Sequence, residues 1–312
     1  MKIEEPYVLL VGGAPQEKGV SHENGAPHEN DATHENGVPQ ERAGQRTQRV
    51  QPEQRTQREQ SGKSVQSEQS GQNAQSEQSE QRLQNAHNGQ DAHTAAVELT
   101  ASLAANAAFC LATDSGADLT HAAGVSINYL MGDFDSISEQ ALAAYRASDC
   151  EIISVNPHKD ETDLELALNF IASHFTLSTL PLVVTNVLGG RIDHELAALG
   201  ALSAAAHLKP LVIDSAATVV FLNEQNPELK FSDLDVLPDA DTLVSVLALG
   251  GEAVVSEVGL TWELDHARLR PLDPRGVSNV FNATKNPDAY IRVFEGSVAV
   301  FVLGLPVRWA SC

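Results

Sequence analysis

Between residues 109 and 213, short apolar runs alternate with amphipathic helical stretches, and this alternation restricts the fold more than any other feature of the chain. Strand patterns cover 109–112, 127–131, 151–155, 182–188 and 211–213, with helical stretches at about 138–148, 164–175 and 195–207. In the second helical stretch, Leu164, Ala167, Leu168, Ile171 and Phe175 recur at the spacing of one helix face. Strands that alternate with helices pair in parallel and need a helical layer on both faces of their sheet. An earlier strand pattern, Tyr7-Val8-Leu9-Leu10-Val11, ends in Gly12-Gly13, and a helical stretch at about 95–107 leads from it to strand 109–112. Those three segments make one βαβ unit. Past residue 216 the helical pattern stops, and strand-like runs at 218–222, 242–249, 253–258, 268–272, 290–294 and 297–303 are separated by turn residues. Such a succession reads as a sandwich or a barrel. The expected organisation is an α/β domain over 1–215 followed by an all-β domain over 216–312.

The βαβ unit is interrupted. Residues 16–94 hold 16 Gln, five of the larger apolar residues and no aromatic. A segment of that composition cannot bury enough apolar area to offset its ordering entropy, so disorder is expected. The repeats within it are short. His-Glu-Asn recurs at His22, His28 and His34, and Gln returns every third residue over 45–60 and 66–84. A tether is the expected role, with metal binding by the three His as the sharper alternative. Because the segment follows Gly12-Gly13, it lies in the first strand-to-helix loop and is not a linker between domains.

The chain carries 20 Lys and Arg against 42 Asp and Glu, a net charge of −22, and −18 of this lies outside the 16–94 segment. Nucleic-acid binding draws on Lys and Arg that neutralise phosphates, so a nucleic-acid partner is not expected. No apolar run of ~18 residues suggests a membrane span. The opening Met1-Lys2-Ile3-Glu4-Glu5-Pro6 has no signal-peptide pattern. Three scattered cysteines, Cys110, Cys150 and Cys312, suit a reducing, cytoplasmic setting better than a disulfide framework or a zinc site.

In open parallel sheets, ligands bind at the carboxyl ends of the strands. Three successive strand ends carry polar motifs here: Gly132-Asp133-Phe134-Asp135-Ser136, Lys159-Asp160-Glu161-Thr162-Asp163 and Gly189-Gly190-Arg191-Ile192-Asp193-His194. Asp133 and Asp135, two apart in a loop read as extended, would face one way and suit Mg²⁺, or else cap the next helix. Thr162 and Glu165 have the spacing of a capping box, which puts Asp163 in a first helical turn as helix start or metal ligand. Glycines at 189 and 190 let backbone N–H groups approach phosphates, and Arg191 can fork onto them; Asp193 reads equally as the helix N-cap. Together the three loops imply metal-assisted phosphoryl or pyrophosphoryl transfer from a nucleotide. Neither a P-loop nor a protein-kinase catalytic loop occurs in the sequence.

With Gly276-Val277-Ser278-Asn279, these motifs resemble, in order and spacing, those of the thiamine pyrophosphokinase (thiamine diphosphokinase) family. The likeness covers about 5–15 and 95–312. It implies a Rossmann-like parallel-sheet nucleotide domain followed by a β-sandwich, and a homodimer with thiamine bound at the interface. It further implies Mg²⁺-dependent transfer of a diphosphate from ATP to the thiamine hydroxyl, releasing AMP. By motif, Asp133, Asp135 and Asp163 would hold the metal. Asp114, Lys159, Asp160, Gly190, Arg191, Asp193 and His194 would meet the nucleotide. Ser278, Asn279 and Phe281 would meet thiamine. Ser115 stands where the family usually has Gly, which would cost ~1 kcal/mol if that position needs a positive φ. The alternatives are a pyrophosphokinase for another alcohol, such as a hydroxymethyl pterin, and a thiamine or nucleotide binder without turnover.

Overall fold

The computed structural model describes residues 7–13, 89–156, 160–175, 180–215, 217–234, 242–281 and 288–304. Its spine is β1 (Tyr7–Val11), whose five residues are all buried. Tyr7, Leu9 and Val11 enter one apolar cluster, while Val8 and Leu10 enter the other. That is the behaviour of a central parallel strand covered on both faces. β1 pairs in parallel with β2 (Ala107–Thr113) on one side and with β5 (Leu182–Thr185) on the other. β3 (Tyr129–Gly132) and β4 (Glu151–Ser154) follow beyond β2, and β6 (Leu211–Ile213) beyond β5, again in parallel.

Two layers of helix cover this part of the sheet. The first layer holds α1 (Gly89–Ala104), α2 (Gly116–Ala122) and α3 (Glu139–Arg146). They bring Leu99, Leu103, Ala117, Ala141 and Tyr145 to the cluster that contains Leu9. The second layer holds α4 (Asp163–His174) and α5 (Ile192–Ala204). These bring Ala167, Leu168, Ile171, Leu199 and Leu202 to the cluster that contains Leu10. After β1 the chain works outward through β2, β3 and β4, then returns to β5 on the far side of β1. The direction of winding therefore reverses between β1 and β5, where a crevice opens at the strand ends.

The sheet does not stop at residue 215. β7 (Ala217–Asn223) folds back antiparallel on β6, pairing Leu211 with Val220 and Ile213 with Thr218. β14 (Ser297–Leu303), β9 (Leu243–Ala248) and the two-residue β12 (Asn279–Val280) extend the sheet to ten strands. A second sheet has the order β11 (Leu264–Leu269), β10 (Ala253–Val258), β13 (Tyr290–Glu295) and β8 (Glu228–Lys230). Val246 and Val300 of the large sheet share an apolar cluster with Val255, Ile291 and Val293 of the small one. The fold is mixed α/β with one large sheet, and the expected boundary at 215/216 falls in the turn between two paired strands.

Several sequence expectations shift. Residues 16–88 of the expected insert lie outside the described residues, but 89–94 belong to α1. A helix nucleated by the buried Leu99 and Leu103 extends over weak formers at low cost, since each added residue gains a hydrogen bond. β5 ends at Thr185 and not at 188, because Asn186 turns out of the strand at φ +57°. β11 ends before the expected 272 because Leu272 adopts φ +55° and donates its N–H to the Ala248 carbonyl, 3.0 Å. The short α2 escaped the periodicity reading at 7 residues. Among the described residues no helix is long and apolar enough to cross a membrane.

Gly116 opens α2 against the end of β1. A Cβ there would lie 2.4 Å from the Val11 carbonyl oxygen and 2.7 Å from that of Gly12. Backbone cannot yield as a side chain can, so Gly116→Ala is expected to cost about 1–3 kcal/mol, read as a lower midpoint in thermal or urea unfolding. A midpoint equal to that of the unsubstituted protein would show that β1 and α2 are not packed this closely.

Candidate active site

The crevice at the carboxyl ends of β1 to β5 is a cleft of ≈ 510 Å³ lined in part by Gly12, Gly13, Asp114, Asp133, Asp135, Asp163, Gly189, Arg191 and His194. They come from the ends of five strands and the helix starts that follow them, so the sheet assembles the site. One carboxylate oxygen from each of Asp114, Asp133 and Asp135 lies within 4.8 Å of the others.

The local chain sets those three positions. Asp114 follows β2 at φ +38°, with its N–H donated to the Met131 carbonyl, 3.1 Å, so it is pinned to β3. The next loop is not extended: Phe134 takes φ +67°, and the Asp135 N–H donates to Asp133 Oδ1, 3.2 Å. Phe134 packs against the core and leaves the flanking carboxylates at the cleft. Thus i and i+2 converge through a turn and not by strand alternation. Ser115 sits at φ −64°, so the strain expected of Ser in place of Gly does not arise, and the positive φ falls on Asp114. Gly13 leaves no room for a side chain, since a Cβ there would lie 2.9 Å from the Gly116 backbone N as well as against Ser115 Oγ.

The group is prepared for a cation. Ser136 Oγ donates to Asp114 Oδ2, while Asp114 Oδ1 is buried with no hydrogen-bond partner. Burial, then the charges of Asp163, Asp135 and Asp133, raise the Asp114 carboxyl above its ordinary value, against the pull of the Ser136 hydroxyl. A buried, unpaired carboxylate oxygen among like charges costs free energy that a bound cation offsets. Clustered carboxylate oxygens suit a hard divalent ion such as Mg²⁺.

Asp163 lines the cleft from the first turn of α4 and acts on Asp114 through its charge, but the three-oxygen group takes Asp114 and not Asp163 as its third member. The helix begins with the expected capping box. Thr162 Oγ1 accepts from the Glu165 N–H, 3.2 Å, and Glu165 Oε2 accepts from the Thr162 N–H, 2.8 Å. Asp160 is exposed just before this turn, and Lys159 lies outside the described residues. Across the cleft, Gly189 and Gly190 take φ +88° and +85°, open to L side chains only with strain. Arg191 occupies the N-cap of α5, where Asp193 was an alternative reading. Asp193 instead lies in the first turn and accepts from Arg191 Nε, 3.1 Å, which holds its carboxyl below the usual range. His194 is exposed at the cleft.

Ser278, Asn279 and Phe281 do not line this cleft. Ser278, at φ +60°, donates its N–H to Ser245 Oγ, 3.0 Å. Asn279 is buried, with its amide donating to Glu257 Oε2, 2.8 Å, and to the Trp262 carbonyl, 2.6 Å. Phe281 packs against the core and stands edge-on to Phe231. The Trp262 ring, which sequence reasoning passed over, is 57% exposed beside this buried network. Glu257 was passed over too: it is 1% exposed, one of its oxygens is unpartnered, and burial pushes its carboxyl up to about 7. An acid in a valine-rich strand was the available signal.

Residues 100–236 match the family model "Thiamin pyrophosphokinase, catalytic domain". Thiamine pyrophosphokinase 2 of Oryza sativa subsp. japonica is 25% identical over 157 residues, 49% of this chain and 58% of that protein. The chain thus spans little more than half the length of this relative. Thiamine pyrophosphokinase from Bacillus subtilis shares the fold at TM-score 0.51 and 20% identity, over 62% of this chain and 87% of that one. The Candida albicans thiamin pyrophosphokinase does so at 0.53 and 14%, over 65% and 83%.

Two outcomes are expected. Mn²⁺, used as a probe in calorimetry, binds the wild-type protein, and Asp114→Asn or Asp133→Asn weakens it about ten-fold or more; equal binding by both variants would remove the cation site. For Glu257, the native state takes up a proton between its raised pKa of about 7 and the unfolded value, so stability rises as pH falls through that window. Glu257→Gln imitates the protonated form and is expected to melt higher than wild type near about pH 8, with the difference shrinking as pH falls and vanishing only below about pH 4. A lower melting point at the higher pH would contradict this.

Proposed function

We infer that this chain, whose residues 100–236 match the catalytic-domain model of the thiamine pyrophosphokinase family, transfers a diphosphate group from ATP to the hydroxyl of thiamine, giving thiamine diphosphate and AMP. The observation that carries the reading is the cleft itself. It sets three convergent carboxylates, Asp114, Asp133 and Asp135, opposite a glycine turn and a permanent cation, Gly189 and Arg191. An acidic cluster alone would repel a polyphosphate. Facing glycine amides and a guanidinium, it suits a nucleotide that arrives with a divalent ion.

In this reading Asp114, Asp133 and Asp135 hold Mg²⁺, with Asp163 reaching it from the neighbouring loop. When bound, the ion neutralises charge on the phosphate oxygens during in-line displacement. The residues of the chain do the positioning. Gly189 and Gly190 let the phosphates approach the backbone, and Arg191 forks onto them, with Asp193 holding the guanidinium between turnovers. His194, Lys159 and Asp160 belong to the nucleotide side. Residues 1–215 then form a Rossmann-like nucleotide domain and 216–312 a sandwich that supplies the thiamine side. Ser278, Asn279 and Phe281 lie outside the cleft of one chain, which suits a homodimer with thiamine between subunits. There the exposed Trp262 offers an aromatic face for the cationic rings. The cytoplasm, where ATP and Mg²⁺ are available, is the proposed setting.

The deciding experiment incubates purified protein with ATP, Mg²⁺ and thiamine and scores thiamine diphosphate and AMP. Wild-type protein is expected to form both, and Asp133→Asn to lose activity about 100-fold or more. Folded wild-type protein that makes neither product overturns the reading.

A further inference from the structure

The residue that gives the phosphate-facing turn its shape lies outside the cleft, on the next strand. Asp214 follows β6 and is 5% exposed. Its Oδ1 accepts from the Asn186 backbone N–H and from Thr185 Oγ1, 3.2 Å. Its Oδ2 accepts from the backbone N–H groups of Val187, 3.1 Å, and Leu188, 2.8 Å. Three successive amides of the segment that leaves β5 thus converge on one carboxylate. They are the residues that run directly into Gly189-Gly190-Arg191.

The rest of that segment is held as well. The Gly12 N–H donates to the Thr185 carbonyl, 2.9 Å, and a Cβ on Gly12 would lie 2.4 Å from Val187 Cγ1. Asn186, at φ +57°, donates its side-chain amide to Thr100 Oγ1 on α1, 2.8 Å. The turn is therefore fixed from three sides: β1 behind it, α1 beside it and Asp214 beneath it. Glu195 Oε2 accepts from the Gly189 N–H, 3.2 Å, but Asp214 alone among these partners binds consecutive amides, a geometry that otherwise captures anions at helix starts and nests. Asp214 itself is held by a tight turn, with its N–H donated to the Ala217 carbonyl, 2.9 Å.

We propose that Asp214 is a positioning residue for nucleotide binding: its buried carboxylate gathers the amides of residues 186–188 and so presents Gly189, Gly190 and Arg191 to the phosphates. This rests on the reading of the cleft as a nucleotide site. Asparagine has the same shape but no charge, and its amide group would face donors, so the Asp214→Asn turn relaxes while the carboxylate cluster across the cleft is untouched.

The test measures ATP–Mg²⁺ affinity by calorimetry and, from formation of thiamine diphosphate and AMP, KM for ATP and thiamine, together with amide hydrogen exchange over residues 186–190. Asp214→Asn is expected to exchange faster there and to raise Kd and KM for ATP about ten-fold, leaving KM for thiamine and kcat within about three-fold. Val293→Ala, in the core of the small sheet, serves as a control that loses stability without touching the turn; it should leave ATP binding unchanged. If Asp214→Asn does not fold, Thr185→Val removes one donor from the same carboxylate and is expected to weaken ATP about two- to three-fold. A folded variant that binds ATP as wild type does overturns the proposal, as does equal weakening in Val293→Ala. Wild-type protein that binds ATP but forms no product overturns the kinase reading alone. Wild-type protein that binds no ATP overturns both.

Discussion

A strand buried on both faces cannot carry charge along its length, because an ion moved into the apolar interior loses its hydration without return. β1 is such a strand, with all five residues buried between two helical layers. That constraint sends the polar residues of the parallel strands to their ends. Parallel pairing then puts all carboxyl ends on one edge, and the reversal of winding between β1 and β5 parts the helices there. The carboxylates of the β2 and β3 loops and the glycine turn after β5 meet in one cleft for that reason, although Asp114 and Arg191 stand 77 positions apart in sequence.

The cleft carries strain of an electrostatic kind. Asp114 is pinned by its backbone to β3, half-buried, beside three other carboxylates, with one oxygen unpartnered. The φ of +38° at Asp114 and +67° at Phe134 set the backbone that brings these carboxylates to one point. The energy held against repulsion is what makes a divalent cation favourable at that point. On the opposite wall the arrangement is reversed in sign, with a buried anion, Asp214, holding the amides that lead into the glycine turn. Charge on one side is kept ready for a cation, and on the other is used up internally.

The C-terminal, all-β segment is joined to this scaffold through backbone pairing. β7 continues the sheet from β6, so the all-β segment and the parallel segment share a ladder of hydrogen bonds and an apolar cluster. Within it, Glu257, Asn279 and Trp262 form a second polar network buried in apolar surroundings. Half-satisfied buried networks are costly, and the free oxygen of Glu257 makes this one so. The network leaves the Trp262 ring at the surface beside the Gly276–Asn279 loop.

The sequence by itself determined much of this. Apolar runs of strand length, a 3.6-residue stripe from Leu164, the Thr162–Glu165 capping box and the glycines at 189 and 190 are local signals, set by propensity and backbone sterics within a few residues. The four motifs, taken in order, also pointed to the family. What the chain could not show locally was which carboxylates meet. Asp114 joins Asp133 and Asp135 because β2 and β3 are neighbours in the sheet, while Asp163 arrives from β4, one strand further on. Asn186 cut β5 short where Asp214, at the end of the next strand, takes its N–H and the two that follow, while Asp193 gave the N-cap to Arg191 and pairs locally with that guanidinium. Asp214 and Glu257 had no motif around them. Their roles come from burial and from donors distant in sequence, and only the tertiary structure, by removing water from around them, decided that those donors would matter.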